Sequence, residues 1–280
     1  MSEVITTKDP FEINDNTNDD EAVLESYLQL IEPENTFYID IGAGGRTTAK
    51  HCARLGPNLT LSTLKNSELT VFFECDKSRD PGKSYSETDH LPNVVLSREK
   101  VTPENVNELL DALCSSIDHE PKLVDLDIDG YDFFVLEALL EKRSPIIIMA
   151  EINEKIPPPI KFTVKYDPSY SWGGNHFFGM SLSKLCELLD KHEYDLINLT
   201  FNNAYAVRRD KNPGLRTFTA MEAHETFYKN AGWEKHFGWN VKEGYGELLT
   251  VSSSEALKMI HGFYEQYNGK YELELGNKES

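Results

Sequence analysis

Polar and apolar positions along this chain follow two alternating periods. Short apolar runs at Phe37–Ile41, Leu69–Cys75, Val94–Leu96 and Pro145–Ile152, and the stretch Lys122–Gly130 that holds a fourth strand and its exit, have the length and the β-branched and aromatic content of buried strands. Between them, apolar residues recur at helical spacing. Val23, Leu24, Tyr27, Leu28 and Ile31 share one face of a helix predicted over Asp20–Ile31, which Pro33 stops. Further helices are predicted over Thr47–Leu55, from Thr102-Pro-Glu-Asn through Leu113, over Tyr131–Glu141 and over Ser181–His192. Tyr194–Leu199 and Ala204–Val207, separated by Phe201-Asn-Asn, predict a closing hairpin. Five strand–helix steps and a hairpin give an α/β fold with an open, mostly parallel sheet and one antiparallel strand. A Pro-rich excursion over Ile156–Gly179 interrupts this order as a loop.

Residues 1 to 20 read as a flexible acidic N-terminus, 21 to 210 as the α/β domain, 211 to 275 as a C-terminal extension and 276 to 280 as a flexible tail. The extension carries Trp233, Phe237, Trp239 and Tyr245, a set suited to a lid or an oligomer contact. An amphipathic helix over Ser254–Tyr267 should bury Leu257, Ile260, Phe263 and Tyr264.

Candidate chemistry gathers where the strands end. The first runs into Asp40-Ile-Gly-Ala-Gly-Gly45, a turn that lets a ligand approach bare backbone near a helix N-terminus. It matches neither the dinucleotide fingerprint nor the P-loop, because Arg46 and Thr47 follow. The second strand ends on Glu74 and Asp76, placed to accept the hydroxyls of a ribose lying over the glycine turn. In an open parallel sheet, ligands bind outside the carboxyl ends of the strands. That rule puts Asp40, Gly42, Glu74, Asp127, Asp129, Glu151 and Asn153 on one rim. Alternation places Asp125, Asp127 and Asp129 on one face, a costly arrangement that cations or hydrogen bonds must compensate. A divalent ion such as Mg held by Asp127, or Asp129, with Glu151 and Asn153 is one candidate; backbone amides or a ligand's ammonium are the others. His176, in the Gly-flanked Trp172-Gly-Gly-Asn-His-Phe loop, is the candidate base among the histidines. Lys161, Lys165, Tyr166, Tyr170 and Trp172 would form a substrate wall.

With 28 Lys and Arg against 47 Asp and Glu, the net charge of −19 argues against a nucleic-acid partner. Cys52, Cys75, Cys114 and Cys186 lie far apart with no Cys-x-x-Cys pair, so neither a disulfide frame nor a zinc knot is expected. Without a basic leader or a long apolar run, the expected setting is cytoplasmic and off the membrane.

Asp40-Ile-Gly-Ala-Gly44, Phe73-Glu-Cys-Asp76 and the strand, helix and hairpin order resemble the class I S-adenosylmethionine-dependent methyltransferases. Asp127-Ile-Asp-Gly-Tyr-Asp132, Ala150-Glu-Ile-Asn153, Phe177-Phe-Gly-Met-Ser-Leu182 and Asn203-Ala-Tyr-Ala-Val207 are similar to the FkbM-like methyltransferases and their uncharacterised relatives, over roughly residues 35 to 210. The resemblance implies a Rossmann-like seven-stranded sheet with an antiparallel hairpin strand. It also implies S-adenosyl-L-methionine as cofactor and methyl transfer to oxygen, less readily nitrogen, of a small-molecule or sugar-type acceptor. Asp40, Gly42 and Gly44 would then approach the methionyl part, Glu74 and Asp76 the ribose, and Ser97, with Arg98 and Glu99, the adenine. Asp127 and Asp129 would lie near the transferred methyl, and Asp129, Asp132 and His176 would serve catalysis. Two other uses of the same scaffold are a metal-dependent hydroxylase, or another enzyme that transfers no methyl, and a non-catalytic assembly subunit.

Overall fold

The computed structural model describes residues 20–43, 59–76, 91–229 and 244–276. The acidic start, Gly44, the Thr47–Leu55 helix and the Trp233–Trp239 cluster lie outside the described residues. The strands are β1 (Phe37–Ile41), β2 (Leu69–Phe73), β3 (Val94–Ser97), β4 (Leu123–Leu126), β5 (Ile147–Glu151), β6 (Ile160–Val164), β7 (Tyr194–Thr200), β8 (Asn203–Arg208) and β9 (Tyr271–Leu275). The helices are α1 (Asp20–Leu30), α2 (Leu61–Asn66), α3 (Val106–Leu113), α4 (Asp132–Leu140), α5 (Leu182–Lys191), α6 (Ala220–Ala223) and α7 (Ser253–Phe263).

Seven strands form one sheet in the order β3-β2-β1-β4-β5-β8-β7, parallel except for β8. This is a Rossmann-like sheet with an antiparallel hairpin strand. The central strands β1, β4 and β5 are buried at every position, as strands covered on both faces must be. Phe37, Ile39 and Ile41 face one apolar layer, in which Leu110 of α3, Leu136 of α4 and Leu185 of α5 pack. Tyr38 faces the other, with Leu24 and Tyr27 of α1 and Leu64 of α2. The strand order reverses direction between β1 and β4, so the crevice at their carboxyl ends is the switch point where such sheets bind ligands.

Several elements depart from the sequence pattern. The helix expected from Thr102 begins at Val106, because the Asn105 side chain accepts the Thr102 amide at 2.8 Å and closes a turn first. The Pro-rich excursion contains β6, which pairs antiparallel with β9 from Ile160↔Leu275 to Val164↔Tyr271. This two-stranded sheet has its own apolar cluster, in which Phe162 and Phe177 pack with Ile260 and Tyr264 of α7. Helix α7 ends at Phe263, and Glu265–Tyr267 forms a separate 3-10 turn. Ile260 and Tyr264 are buried as expected, while Leu257 and Phe263 are half-buried.

The exit of β1 is the tightest packing constraint. Gly42 has φ +95°, and a Cβ there would lie 1.7 Å from the Asp127 carbonyl oxygen. In contrast, a Cβ at Gly262, inside α7, meets nothing within 4 Å. Gly42→Ala should therefore cost more than about 4 kcal/mol, the range of severe backbone clashes. Gly262→Ala should gain about 0.5–1 kcal/mol from helix propensity. Denaturant unfolding of both variants checks this pair, and a mild Gly42→Ala would show that the two strand exits are not pressed together.

Candidate active site

The turn after β1 is shaped by hydrogen bonds as well as by the missing side chain. The amides of Gly42 and Ala43 both donate to the Phe73 carbonyl, at 2.9 and 3.2 Å, and the Asp127 amide donates to Ile41 at 2.9 Å. The amide of Gly42 is thus spent inside the sheet. What this residue offers a ligand is close approach to the backbone, and Gly44, the other glycine assigned to the cofactor, lies outside the described residues.

A cavity of about 390 Å³ opens beside this turn at the carboxyl ends of β1, β2 and β4. Gly42, Glu74, Asp76, Asp127 and Asp129 line it, so five of the residues read from sequence come together. Glu74 is buried, and its Oε1 accepts the Asp76 amide at 2.7 Å, which fixes the carboxylate at the tip of β2. The Arg98 guanidinium bonds the carbonyls of Glu74 and Asp76 at 3.3 and 3.4 Å and braces the same tip. Ser97 is not on the cavity wall; its hydroxyl accepts the Glu99 amide at 3.3 Å, and Glu99 is the wall residue.

Behind the cavity stands a group of carboxyls. Asp40 pairs in register with Asp125 across β1 and β4, and both are buried. Carboxylate oxygens of Asp127, Asp129 and Glu151 lie within 4.8 Å of one another. Burial first, then the like charges of Asp125, Asp127 and Glu74, hold the Asp40 carboxyl well above the usual carboxylate range. Asp127 and Glu151 are raised well above it for the same reasons, and the two share a hydrogen bond, carboxyl to carboxyl. Asn202, at the β7–β8 turn, donates to Glu151 Oε1 at 2.7 Å and sets its orientation. Three hard oxygen donors at this separation suit a cation.

Asn153, also assigned to a metal, is held through its amide nitrogen, while its Oδ1, the atom that could ligate, is buried without a hydrogen-bond partner. Asn153 is fully buried, and its Nδ2 donates to the carbonyls of His176 and Phe178 at 2.9 and 3.0 Å. Asp129 joins Asp127 and Glu151 in the acidic group that the fold assembles. Asp129 itself stands in the left-handed region, with φ +56°, in the loop after β4.

Asp132 also faces inward. It is fully buried at the first position of α4, and its two oxygens accept the amides of Ile128 and Gly130, each at 2.8 Å. Burial, opposed by these bonds, pushes its carboxyl up to about 6. It therefore positions the loop that presents Asp127 and Asp129. The His176 ring is buried against Tyr245, with centroids 4.2 Å apart, and does not line the cavity. Burial, then the Lys155 charge, lowers it to about 3, so it is neutral near pH 7.

Other wall residues carry little sequence signal. The Lys100 Nζ crosses to the carbonyls of Pro168 and Tyr170, at 2.7 and 3.3 Å, and lies 5.6 Å from the centre of the Tyr131 ring. Tyr170 and Trp172 form part of the wall, as the composition of their loop suggested. Tyr170 donates to the Phe177 carbonyl at 2.6 Å and Trp172 to the Asn175 carbonyl at 2.7 Å. Asn175 in turn donates to the Tyr267 hydroxyl at 3.0 Å, and Phe177 stacks on Tyr267 at 3.9 Å. Lys161 is turned away, paired with Glu187 at 2.7 Å. Backbone carbonyls and aromatic stacking hold this wall, and neither has a fixed sequence spacing.

Among the described residues, no helix is long and apolar enough to cross a membrane. No protein-family model and no curated protein matches the chain. Three solved structures are similar to it. The structure of monomeric WbdD is 16% identical with a TM-score of 0.39, over 70% of this chain and 42% of that one. A proposed methyltransferase from Thermobifida fusca YX is 12% identical with a TM-score of 0.39, over 68% of this chain and 79% of that one. An S-adenosylmethionine-dependent methyltransferase from Mesorhizobium loti is 8% identical with a TM-score of 0.35, over 70% of this chain and all of that one. The chain thus spans less than half the length of the WbdD structure it matches.

Proposed function

We propose that this chain is an S-adenosyl-L-methionine-dependent methyltransferase acting on an oxygen of a small-molecule or sugar-type acceptor. The observation that carries the proposal is the Gly42 turn. It lies against the Asp127 backbone at the switch point, with Glu74 held at the next strand tip and one cavity opening beside both.

The residues present fit the cofactor. Gly42, which the Asp127 carbonyl leaves no room to carry a side chain, lines the cavity, and Glu74 and Asp76 supply ribose acceptors at the tip of β2. The carboxyls behind the cavity favour a cationic ligand by removing their mutual repulsion. When bound, the cofactor supplies a sulfonium methyl that a nucleophile displaces in line. The protein's share is alignment and proton removal. Asp129, half-buried on the cavity wall and held in place by the Asp132 loop, is the carboxylate placed to take the acceptor's proton. A divalent ion at Asp127, Asp129 and Glu151 is a second occupant compatible with the donor set.

Calorimetric titration with S-adenosylmethionine and S-adenosylhomocysteine tests the proposal, and failure of both to bind would end it. Loss of the charged ribose contact in Glu74→Ala should weaken S-adenosylhomocysteine about 30- to 100-fold, or about 2–3 kcal/mol. Asp129→Ala should leave that affinity nearly unchanged and remove turnover. Equal weakening by both would undo this division of roles.

The raised carboxyls also give a pH signature. A carboxyl whose folded pKa lies above its unfolded value contributes stability below the unfolded value, near pH 4, and loses it as pH rises through the folded value. Asp127→Asn removes the charge while keeping the shape. Its melting temperature should exceed wild type at about pH 8, and the gain should shrink as the pH is lowered toward about 5, because the raised pKa favours the neutral form of wild-type Asp127. A gain independent of pH would show that charge repulsion is not its source.

A further inference from the structure

We propose that the acceptor carries a positive charge, an ammonium group seated between the carboxylates of Asp127, Asp129 and Glu151 and the aromatic wall of the same cavity. This deepens the methyltransferase reading by naming a substrate class, and it rests on that reading for the word acceptor alone.

Four observations carry it. First, the Glu151 carboxylate is 5% exposed and held by Asn202 on Oε1, while no amide, hydroxyl or cationic group among the described residues donates to Oε2. A buried acceptor atom without a donor is costly, more so when charged, and an N–H from a ligand would relieve it. Second, the oxygens of Asp127, Asp129 and Glu151 lie within 4.8 Å of one another, close enough for one ammonium to reach all three. Third, the described wall has five carboxylates, Glu74, Asp76, Glu99, Asp127 and Asp129, against one ammonium, Lys100. The Lys100 charge is already directed at two carbonyls. Such a wall repels phosphates, carboxylates and phenolates. Fourth, Tyr170 and Trp172 are among the residues that line the same cavity, and aromatic rings attract ammonium groups.

Two rival cations would satisfy the same oxygens: a divalent metal ion and the cofactor's own ammonium. Calorimetry with an isosteric series separates them. Benzylamine, benzyl alcohol and benzoate differ in charge at nearly constant shape, and each is titrated into the full chain saturated with S-adenosylhomocysteine. Benzylamine should bind at least about 10-fold tighter than benzyl alcohol, equivalent to about 1.4 kcal/mol, with benzoate undetectable. Asp129→Asn and Glu151→Gln should each erase most of that preference; the wild-type series stands even where a variant does not fold.

Equal binding of amine and alcohol, or any preference for benzoate, overturns the proposal. Displacement of benzylamine by S-adenosylhomocysteine overturns it in favour of the cofactor's ammonium, and displacement by magnesium chloride in favour of a metal. If S-adenosylhomocysteine does not bind while benzylamine binds the chain alone, the ammonium pocket stands and the cofactor reading falls.

Discussion

The arrangement depends on one contact between two pieces of backbone. At the exit of β1 the α-carbon of Gly42 lies so close to the Asp127 carbonyl that no side chain can stand between them. The Gly42 and Ala43 amides bind the Phe73 carbonyl on one side, and the Asp127 amide binds Ile41 on the other. The exits of β1, β2 and β4 are thereby locked to one another at the switch point. The carboxylates at those tips inherit fixed positions. Asp127 follows the contact directly, Asp129 and Gly130 follow through the loop that Asp132 closes, and Glu74 sits one residue past Phe73.

That rigidity has an electrostatic cost. Asp40 and Asp125 lie side by side in register, with Asp127 and Glu151 beyond them, and each added charge raises the protonation tendency of the next. A fold selected only for stability would fill these positions with apolar side chains, as it does at the neighbouring Phe72 and Met149. Keeping carboxyls there makes sense when a ligand supplies the missing positive charge. Stability and ligand recognition then draw on the same side chains in opposite directions.

Much of this was legible in the sequence because parallel strands write their ends plainly. Apolar runs that stop on Asp40, Glu74, Asp127 and Glu151 mark one rim, and a glycine after the first marks where the chain turns. The features that were not legible share a cause: they depend on partners distant in sequence. β6 follows Pro157-Pro-Pro159, and β9 reads Tyr-Glu-Leu-Glu-Leu with glutamates facing solvent; only their pairing makes either a strand. The amide nitrogen of Asn153, just after β5, is taken by two carbonyls more than twenty residues away, contacts that no local pattern announces. His176 looked accessible between glycines, yet an aromatic ring from residue 245 covers it. Lys100 carries no motif, and its importance appears only when the 168–170 backbone folds back over it.

The same reasoning bears on the C-terminal segment. Tyr170 and Trp172 stand on a loop, and a loop wall is only as well placed as its supports. Those supports converge on residues 175 to 178. Asn175 receives the Trp172 indole and reaches the Tyr267 hydroxyl, Phe177 receives the Tyr170 hydroxyl and stacks on Tyr267, and the Tyr264 hydroxyl bonds the His176 carbonyl at 2.6 Å. From the other side, Asn153 at the exit of β5 clamps the carbonyls of His176 and Phe178. The wall is therefore held between the main sheet and the segment from 245 to 275, whose β9 is itself zipped to β6. A change at Tyr267 reaches the cavity through its hydrogen bond with Asn175 and its stack on Phe177, although some ninety residues of chain separate it from Asn175. The aromatic extension is in this sense part of the cavity's construction, and its tyrosines fix where the rings facing a ligand stand.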